Sequence, residues 1–313
     1  MPEWLVERGI GETRAALVED GRIVEARILI EGVIPAGTVL SARLLSTGRN
    51  AVARADDQEY LLPKGAPGET EGATLAIEVT REVLAGTEPW KRPLARATDE
   101  TARPGGTLEG REVAFPAPHD SFEAAGWSEL IDQARSGIFG FPGGELRVSL
   151  TPAMTLIDVD GRLDPEALAL VGAKAAAAAI RRHGISGSIG IDLPTISGKA
   201  ARQAVAEAVD ALLPQPFERT AVNGFGFLQI VRRRRHASLF ELAADRPSFE
   251  ARALLRRAAR ETGAIRLVSH PAIITALKSH AGWIERLAAQ VGGAVDLRAE
   301  PSLAMAAGYA EPA

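Results

Sequence analysis

There is no cysteine anywhere in the chain, and this one absence removes disulfide scaffolds, thiolate zinc sites and cysteine nucleophiles together. Any metal must then be held by oxygen or imidazole ligands. Long apolar runs are missing too, since nothing approaches the roughly eighteen consecutive apolar residues of a membrane span. The Ala-rich stretch from Leu168 to Ile180 carries Lys174 and ends in Arg181 and Arg182. Glu3, Glu7 and Arg8 interrupt the N-terminus before an apolar signal core can form, so a cytoplasmic protein without a membrane span is expected. What is present is ordinary for a folded protein. The 313 residues, 46% of them hydrophobic, can bury a sizeable core and suggest about two domains.

An overall basic excess is also lacking, but the net charge of -4 is unevenly spread. Residues 1–97 hold 12 basic and 15 acidic side chains (-3), and residues 98–218 hold 10 and 17 (-7). Residues 219–286 reverse this with 13 basic against 5 acidic (+8), and the remainder has 1 against 3 (-2). An acidic block followed by a basic block suits a metal site flanked by a polyanion-binding surface. Solvated helix faces would give the same numbers, and charge alone does not separate the two.

Periodicity predicts the organisation. Thr13 to Val18 and Ile23 to Ile30 read as the arms of a hairpin around the turn pair Asp20-Gly21, a strong hairpin signal. Short strands of alternating polarity follow at Val39 to Leu45, Ala51 to Ala55, Tyr60 to Leu62 and Thr74 to Val83, punctuated by Gly48, Gly65, Gly68 and Gly72. That spacing suits a small β-barrel of the oligonucleotide-binding type. Residues 98–126 read as a connector. Then come strands at Glu145 to Leu150 and Met154 to Val159, and a helix from Pro165, N-capped by Asp164 and ended by Gly184. A strand at Ser188 to Asp192, a helix from Ser197 to Leu213 and a strand at Val222 to Val231 complete a β-α-β-α-β pattern. The last third continues as helices and short strands in a small α/β unit. The expected fold class is therefore a mixed α/β (α+β) chain.

Two carboxylates take corresponding places in this pattern: Asp158 near the end of one apolar strand and Asp192 at the end of the next, 192 - 158 = 34 residues on. That is the length of a βαβ unit, so both should emerge side by side at the C-terminal edge of a parallel sheet. Asp160, two residues on, points to the same face if the strand persists. Oxygen ligands so placed suit Mg²⁺, with Mn²⁺ as the alternative. Spacing alone equally allows two strand-end residues that meet solvent. The second signal is the run Arg232, Arg233, Arg234, Arg235 after an apolar strand, which would put guanidinium groups suited to phosphate beside the sheet edge. Other motifs fail. Ile196-Ser-Gly-Lys199 lacks the glycine and the Ser/Thr of a phosphate-binding loop, and the five His residues show no metalloprotease pairing. No Gly-x-Ser-x-Gly elbow occurs.

Four segments together resemble the ribonuclease E/G endonucleases. Gly143 to Asp160, ending Thr155-Leu-Ile-Asp-Val-Asp160, is similar to the strand with that family's first acidic residue, and Ser188-Ile-Gly-Ile-Asp192 to its second acidic strand. Asn223-Gly-Phe-Gly-Phe-Leu-Gln-Ile-Val-Arg-Arg-Arg234 and Val295-Asp-Leu-Arg-Ala-Glu-Pro-Ser-Leu303 match two further motifs in the same order.

The resemblance implies a ribonuclease-H-like nuclease core (residues 1–30 with 98–245), an inserted S1-type RNA-binding barrel (31–97) and a small C-terminal α/β unit (246–313). It implies endonucleolytic cleavage of single-stranded RNA to 5'-phosphate and 3'-hydroxyl ends. Asp158 and Asp192 would be catalytic metal ligands, with Asp160 as a further one in place of the family's Asn. Arg232, Arg233, Arg234 and Arg235, with Lys64, Arg43, Arg49 and Tyr60 of the barrel, would bind RNA, and Trp90 is the barrel's other stacking aromatic. The family's zinc link between subunits cannot form without cysteine, so no zinc and no zinc-bridged dimer are expected. Residues 98–127 are too short for the family's 5'-end sensor. Gly224 and Gln229 replace its Arg and Glu, and these departures motivate the alternative of a noncatalytic RNA-binding protein on the same fold.

Overall fold

The computed structural model describes residues 2–84, 91–106 and 108–313; Trp90 lies outside them. The chain begins with β1 (Glu3–Arg8), β2 (Glu12–Glu19) and β3 (Arg22–Ile30), then β4 (Val39–Leu44), β5 (Ala51–Ala55), β6 (Gln58–Leu62), β7 (Thr74–Arg81) and β8 (Leu94–Ala97). Next come β9 (Arg111–Val113), α1 (Ser121–Ala124) and α2 (Trp127–Ser136), so the expected connector holds a short strand and a short helix. The central region follows as β10 (Ile138–Phe141), β11 (Gly144–Leu150), β12 (Thr155–Gly161), α3 (Pro165–Arg182), β13 (Gly187–Asp192), α4 (Lys199–Leu212), β14 (Phe217–Arg219) and β15 (Phe227–Arg232). The remainder is α5 (Leu239–Ala244), α6 (Arg246–Ala258), β16 (Ile265–Ser269), α7 (Pro271–Lys278), α8 (Ala281–Val291), β17 (Val295–Ala299) and β18 (Tyr309–Pro312). The class is mixed α/β with a closed five-stranded barrel.

The chain forms two compact units. The first gathers residues 1–31, 109–128 and 242–313. This grouping differs from the expected division, which joined the first hairpin to residues 98–245. The physical reason is that β1 pairs in parallel with β9, and Ile10 sits in one apolar cluster with residues of α6, α7 and α8. The hairpin turn has Asp20 at φ 49° and Gly21 at φ 74°, the paired left-handed conformation that an Asp-Gly turn favours. Toward the other end of β2 lies a buried charge network. Arg14, 1% exposed, donates to Glu7 through Nε (2.6 Å) and Nη2 (2.9 Å), reaches Asp120 at 3.2 Å, and stacks 4.1 Å from the Phe122 ring centre.

The second unit holds residues 32–108 and 129–241. Its barrel closes in the order β4-β5-β6-β8-β7, at the place expected for one, around Leu44, Tyr60, Leu62, Ile77 and Val79. Its larger sheet runs β10-β11-β12-β13-β15-β14. Helices α3 and α4 cover one face of that sheet, where Leu146, Ile157, Val159, Ile189, Ile191, Leu228 and Ile230 are buried. Asp164 N-caps α3 by accepting the Ala167 N–H, with Pro165 in the first turn. Its alanine face seats the helix so close that a Cβ on Gly172 would lie 2.3 Å from Val159 Cγ1. The next helix starts one residue later than expected, with Gly198 rather than Ser197 at its N-cap.

Strand direction departs from the expected succession of parallel strands. β12 and β13 are parallel, but β13 and β15 are antiparallel. The crossover through α4 returns the chain to β14 at the sheet edge, and the β14–β15 hairpin then brings β15 back between β13 and β14 in the opposite direction.

Candidate functional site

The face of the larger sheet that α3 and α4 leave open carries the candidate site. Side chains alternate along each strand, so while Ile157, Val159, Ile189 and Ile191 enter the core, Asp158, Asp160, Gly190 and Asp192 lie on the other face. Register sets four residues in one row across the sheet: Arg147 pairs with Asp158, Asp158 with Asp192, and Asp192 with Phe227. The two acids separated by 34 residues are therefore direct neighbours on adjacent parallel strands, as the spacing implied. β12 persists to Gly161, which keeps Asp160 on the same face.

The electrostatics follow from this crowding. Partial burial lifts the Asp158 carboxyl above its ordinary value, and the charges of Asp160 and Asp192 lift it further against the opposing pull of Arg147. Arg147 Nε and Nη2 both donate to Glu145 (2.8 and 2.6 Å), which holds its guanidinium above its ordinary value, and Asp160 and Asp158 add to the effect. The row is thus a carboxylate group short of positive charge, with its nearest arginine already shared. Its donors are all hard oxygens. Mg²⁺ needs only one or two such carboxylates, water and substrate oxygens filling its remaining positions, and Asp158 and Asp192 fit that requirement. Among the described residues, no group of three His, Asp or Glu side chains stands ready to enclose a metal ion without such additional ligands.

Next to the acids is an apolar floor. A Cβ on Gly190 would lie 2.5 Å from Phe227 Cζ and 3.0 Å from Leu156 Cδ2, so the Phe227 ring lies across the glycine beside Leu156. Only glycine at 190 leaves room for it. Arg147 and Phe227 were not singled out from the sequence. Arg147 alternates with the buried Leu146 and the partly buried Val148, and a correct count of the β11–β12 turn would have put it beside Asp158.

The arginine run is placed differently from expectation. Because β15 is antiparallel to β13, Phe227 stands opposite Asp192, whereas Arg232 stands opposite Gly187 at the start of β13. Five residues of strand, about 17 Å at the usual rise, separate the first arginine from the acid row. Arg232 Nη1 donates to the Ile185 carbonyl at 3.0 Å, and Arg234 is ion-paired with Glu241. Arg233 and Arg235 are exposed, and the Arg235 carbonyl accepts the Glu82 N–H beside the barrel at 2.9 Å.

In the barrel, Tyr60 is 1% exposed and fills the interior, so it offers no surface ring for stacking. Its inward place follows from strand alternation, with Leu62 facing the same way. Arg43, Arg49 and Lys64 are exposed. Arg49 and Lys64 come together at one end, where the Asn50 N–H donates to the Pro63 carbonyl, while Arg43 pairs across the strand with Arg54.

No helix among the described residues is long and apolar enough to cross a membrane. The chain matches no model of a known protein family, and no curated protein gives a significant match.

Proposed function

We propose that this chain is a divalent-metal-dependent endoribonuclease of the ribonuclease E/G type, lacking that family's zinc link and 5'-end sensor, and that it cleaves single-stranded RNA. The observation that carries the reading is the row Arg147, Asp158, Asp192, Phe227 on an open sheet face, with Asp160 one strand step away. Asp158 and Asp192 would hold Mg²⁺ or Mn²⁺, and Asp160 would orient a water or add a ligand. The metal, when bound, supplies an activated water and neutralises charge on the scissile phosphate. The chain's own residues do the rest. Asp158 must be ionised to hold the metal, and its raised proton affinity in the metal-free site makes protons compete with the metal there. Arg147, at the end of the row, faces a phosphate held there and favours its charge. Arg233 and Arg235 near the barrel, with Arg43, Arg49 and Lys64, extend a cationic path for the RNA backbone away from the cleavage point.

End analysis of the products tests this reading. Incubation of single-stranded RNA with Mg²⁺ should yield 5'-phosphate and 3'-hydroxyl ends, the products when water attacks phosphorus and the 3'-oxygen leaves. Products with 2',3'-cyclic phosphates, formed equally in chelator, would refute it. RNA left whole but bound in a salt-dependent way would favour the alternative of a noncatalytic RNA-binding protein.

A further inference from the structure

Phe225 is 83% exposed, more than any other large apolar side chain among the described residues, yet the backbone that displays it is tightly fixed. Asn223 Oδ1 accepts the N–H groups of both Phe225 (2.9 Å) and Phe227 (3.0 Å). The Asn223 N–H donates to the Phe227 carbonyl (3.0 Å), and the Gly226 N–H to the Asn223 carbonyl (3.2 Å). Gly226 takes φ 91°, and its carbonyl accepts the N–H of Leu193, the residue after Asp192, at 3.2 Å. A Cβ on Gly226 would lie 2.2 Å from the Leu193 carbonyl oxygen, so the tip of the loop is pressed against the chain just beyond the acid row. Thr195 Oγ1 also reaches the Phe225 carbonyl at 3.4 Å. No aromatic ring contact among the described residues involves Phe225.

A rigid turn that holds a bare ring in water gains nothing for folding, and its place next to carboxylates points to a ligand. The surroundings decide which kind. Asp192, Thr195, Asn223 and Gly224 around it are exposed and polar or side-chain-free, so the ring adds only to the small apolar floor of Phe227 and Leu156. A stable protein partner needs upwards of about 1,000 Å² of complementary surface, far more than one ring offers. A single planar heterocycle matches one ring face, and base–aromatic stacking is the ordinary means of gripping single strands.

We infer that Phe225 is the stacking platform for the nucleobase adjoining the phosphate held at Asp158 and Asp192. This rests on the reading of that row as an RNA cleavage site. It makes Phe225 a positioning residue: stacking fixes one nucleotide, and the fixed nucleotide sets which phosphate meets the acids. Phe227, its ring lying across Gly190, floors the site on the other side of the loop.

The test uses the full chain in a Phe225→Ala, a Phe225→Trp and an unchanged form, each also carrying Asp158→Asn and Asp192→Asn so that RNA stays whole. Single-stranded RNA with 2-aminopurine at successive positions serves as the probe. The unchanged ring and Trp should quench one position sharply and bind alike, whereas Ala should lose that quenching and bind at least about five-fold more weakly, the lower end for one stacked base. With the acids restored, Phe225→Ala should blur the choice of cleavage position, and Trp should rescue it. Equal affinity, quenching and cleavage pattern in the Ala form would overturn the inference while leaving the nuclease reading intact. Position-specific quenching with no cleavage by the acid-intact chain would sustain the stacking role and refute the nuclease reading. A change in self-association alone, seen by sedimentation, would assign the ring to a second copy and also overturn it.

Discussion

Neutralising Asp158 should make the metal-free protein more stable. Asp158 and Asp192 are paired on adjacent parallel strands, which lie about 4.8 Å apart. Two unit charges near 5 Å repel by about 0.8 kcal/mol in water and about 3 kcal/mol at an effective dielectric constant of 20. Asp192 is exposed and Asp158 half-buried, so screening holds the value near the low end. Asp160 adds a second repulsion, and Arg147 offsets part of the sum. Asp158→Asn should therefore gain about 1 kcal/mol, or about 2 °C in Tm for a chain of this size. The sign follows from the raised proton affinity: the folded state holds the Asp158 proton more tightly than the unfolded chain, so the ionised group destabilises the fold at neutral pH. The gain must disappear as the pH falls below the ordinary carboxylate range. Adding Mg²⁺ at ten times its Kd should stabilise the unchanged protein by about 1.4 kcal/mol and leave Asp158→Asn nearly unmoved. Thermal denaturation in chelator and in Mg²⁺ reads both effects. A lower Tm for the variant in chelator, or equal Mg²⁺ shifts in both proteins, would refute the reasoning.

Three other outcomes follow from buried or strained groups. Arg14→Met should cost about 3–5 kcal/mol by leaving Glu7 buried without its bidentate partner; a loss below about 1 kcal/mol in urea denaturation would contradict this. Burial lowers the proton affinity of His183 to a pKa of about 3; its ring lies between Phe139 and Phe240. The unfolded chain protonates first, so stability should fall from about pH 6.5 downward, by about 2 kcal/mol at pH 5, and His183→Leu should flatten that slope. Gly226→Ala should lose about 2 kcal/mol through its left-handed backbone and its approach to the Leu193 carbonyl, and RNA affinity should fall with it.

Much of this architecture was legible because local signals coincided with tertiary needs. Asp20-Gly21 fixed the first hairpin, Asp164-Pro165 the start of α3, and the 34-residue spacing the pairing of Asp158 with Asp192. What escaped was set by register and direction. The β11–β12 turn spans four residues, closed by the Thr151 N–H and hydroxyl on the Met154 carbonyl, and the count from sequence was one short. A one-residue slip reverses the facing of every side chain on a strand, which hid Arg147. The direction of β15 is set by β14, which precedes it in the chain and takes the sheet edge, and three residues, Phe217 to Arg219, carry too little periodicity to announce it. That single reversal moved the arginine run to the far end of the sheet and put Phe225 and Phe227 beside the acids instead. Tyr60 misled for a related reason, since an aromatic on a short barrel strand fills the interior as readily as it decorates the surface.

The central claim is that the Asp158–Asp192 pair holds the metal that cleaves RNA. It is tested most directly by incubating end-labelled single-stranded RNA with the unchanged protein and with the Asp158→Asn/Asp192→Asn variant, each in Mg²⁺ and in chelator. Cleavage only by the unchanged protein, and only with the metal, is the predicted result. Equal cleavage by the variant, or by either protein in chelator, would contradict it.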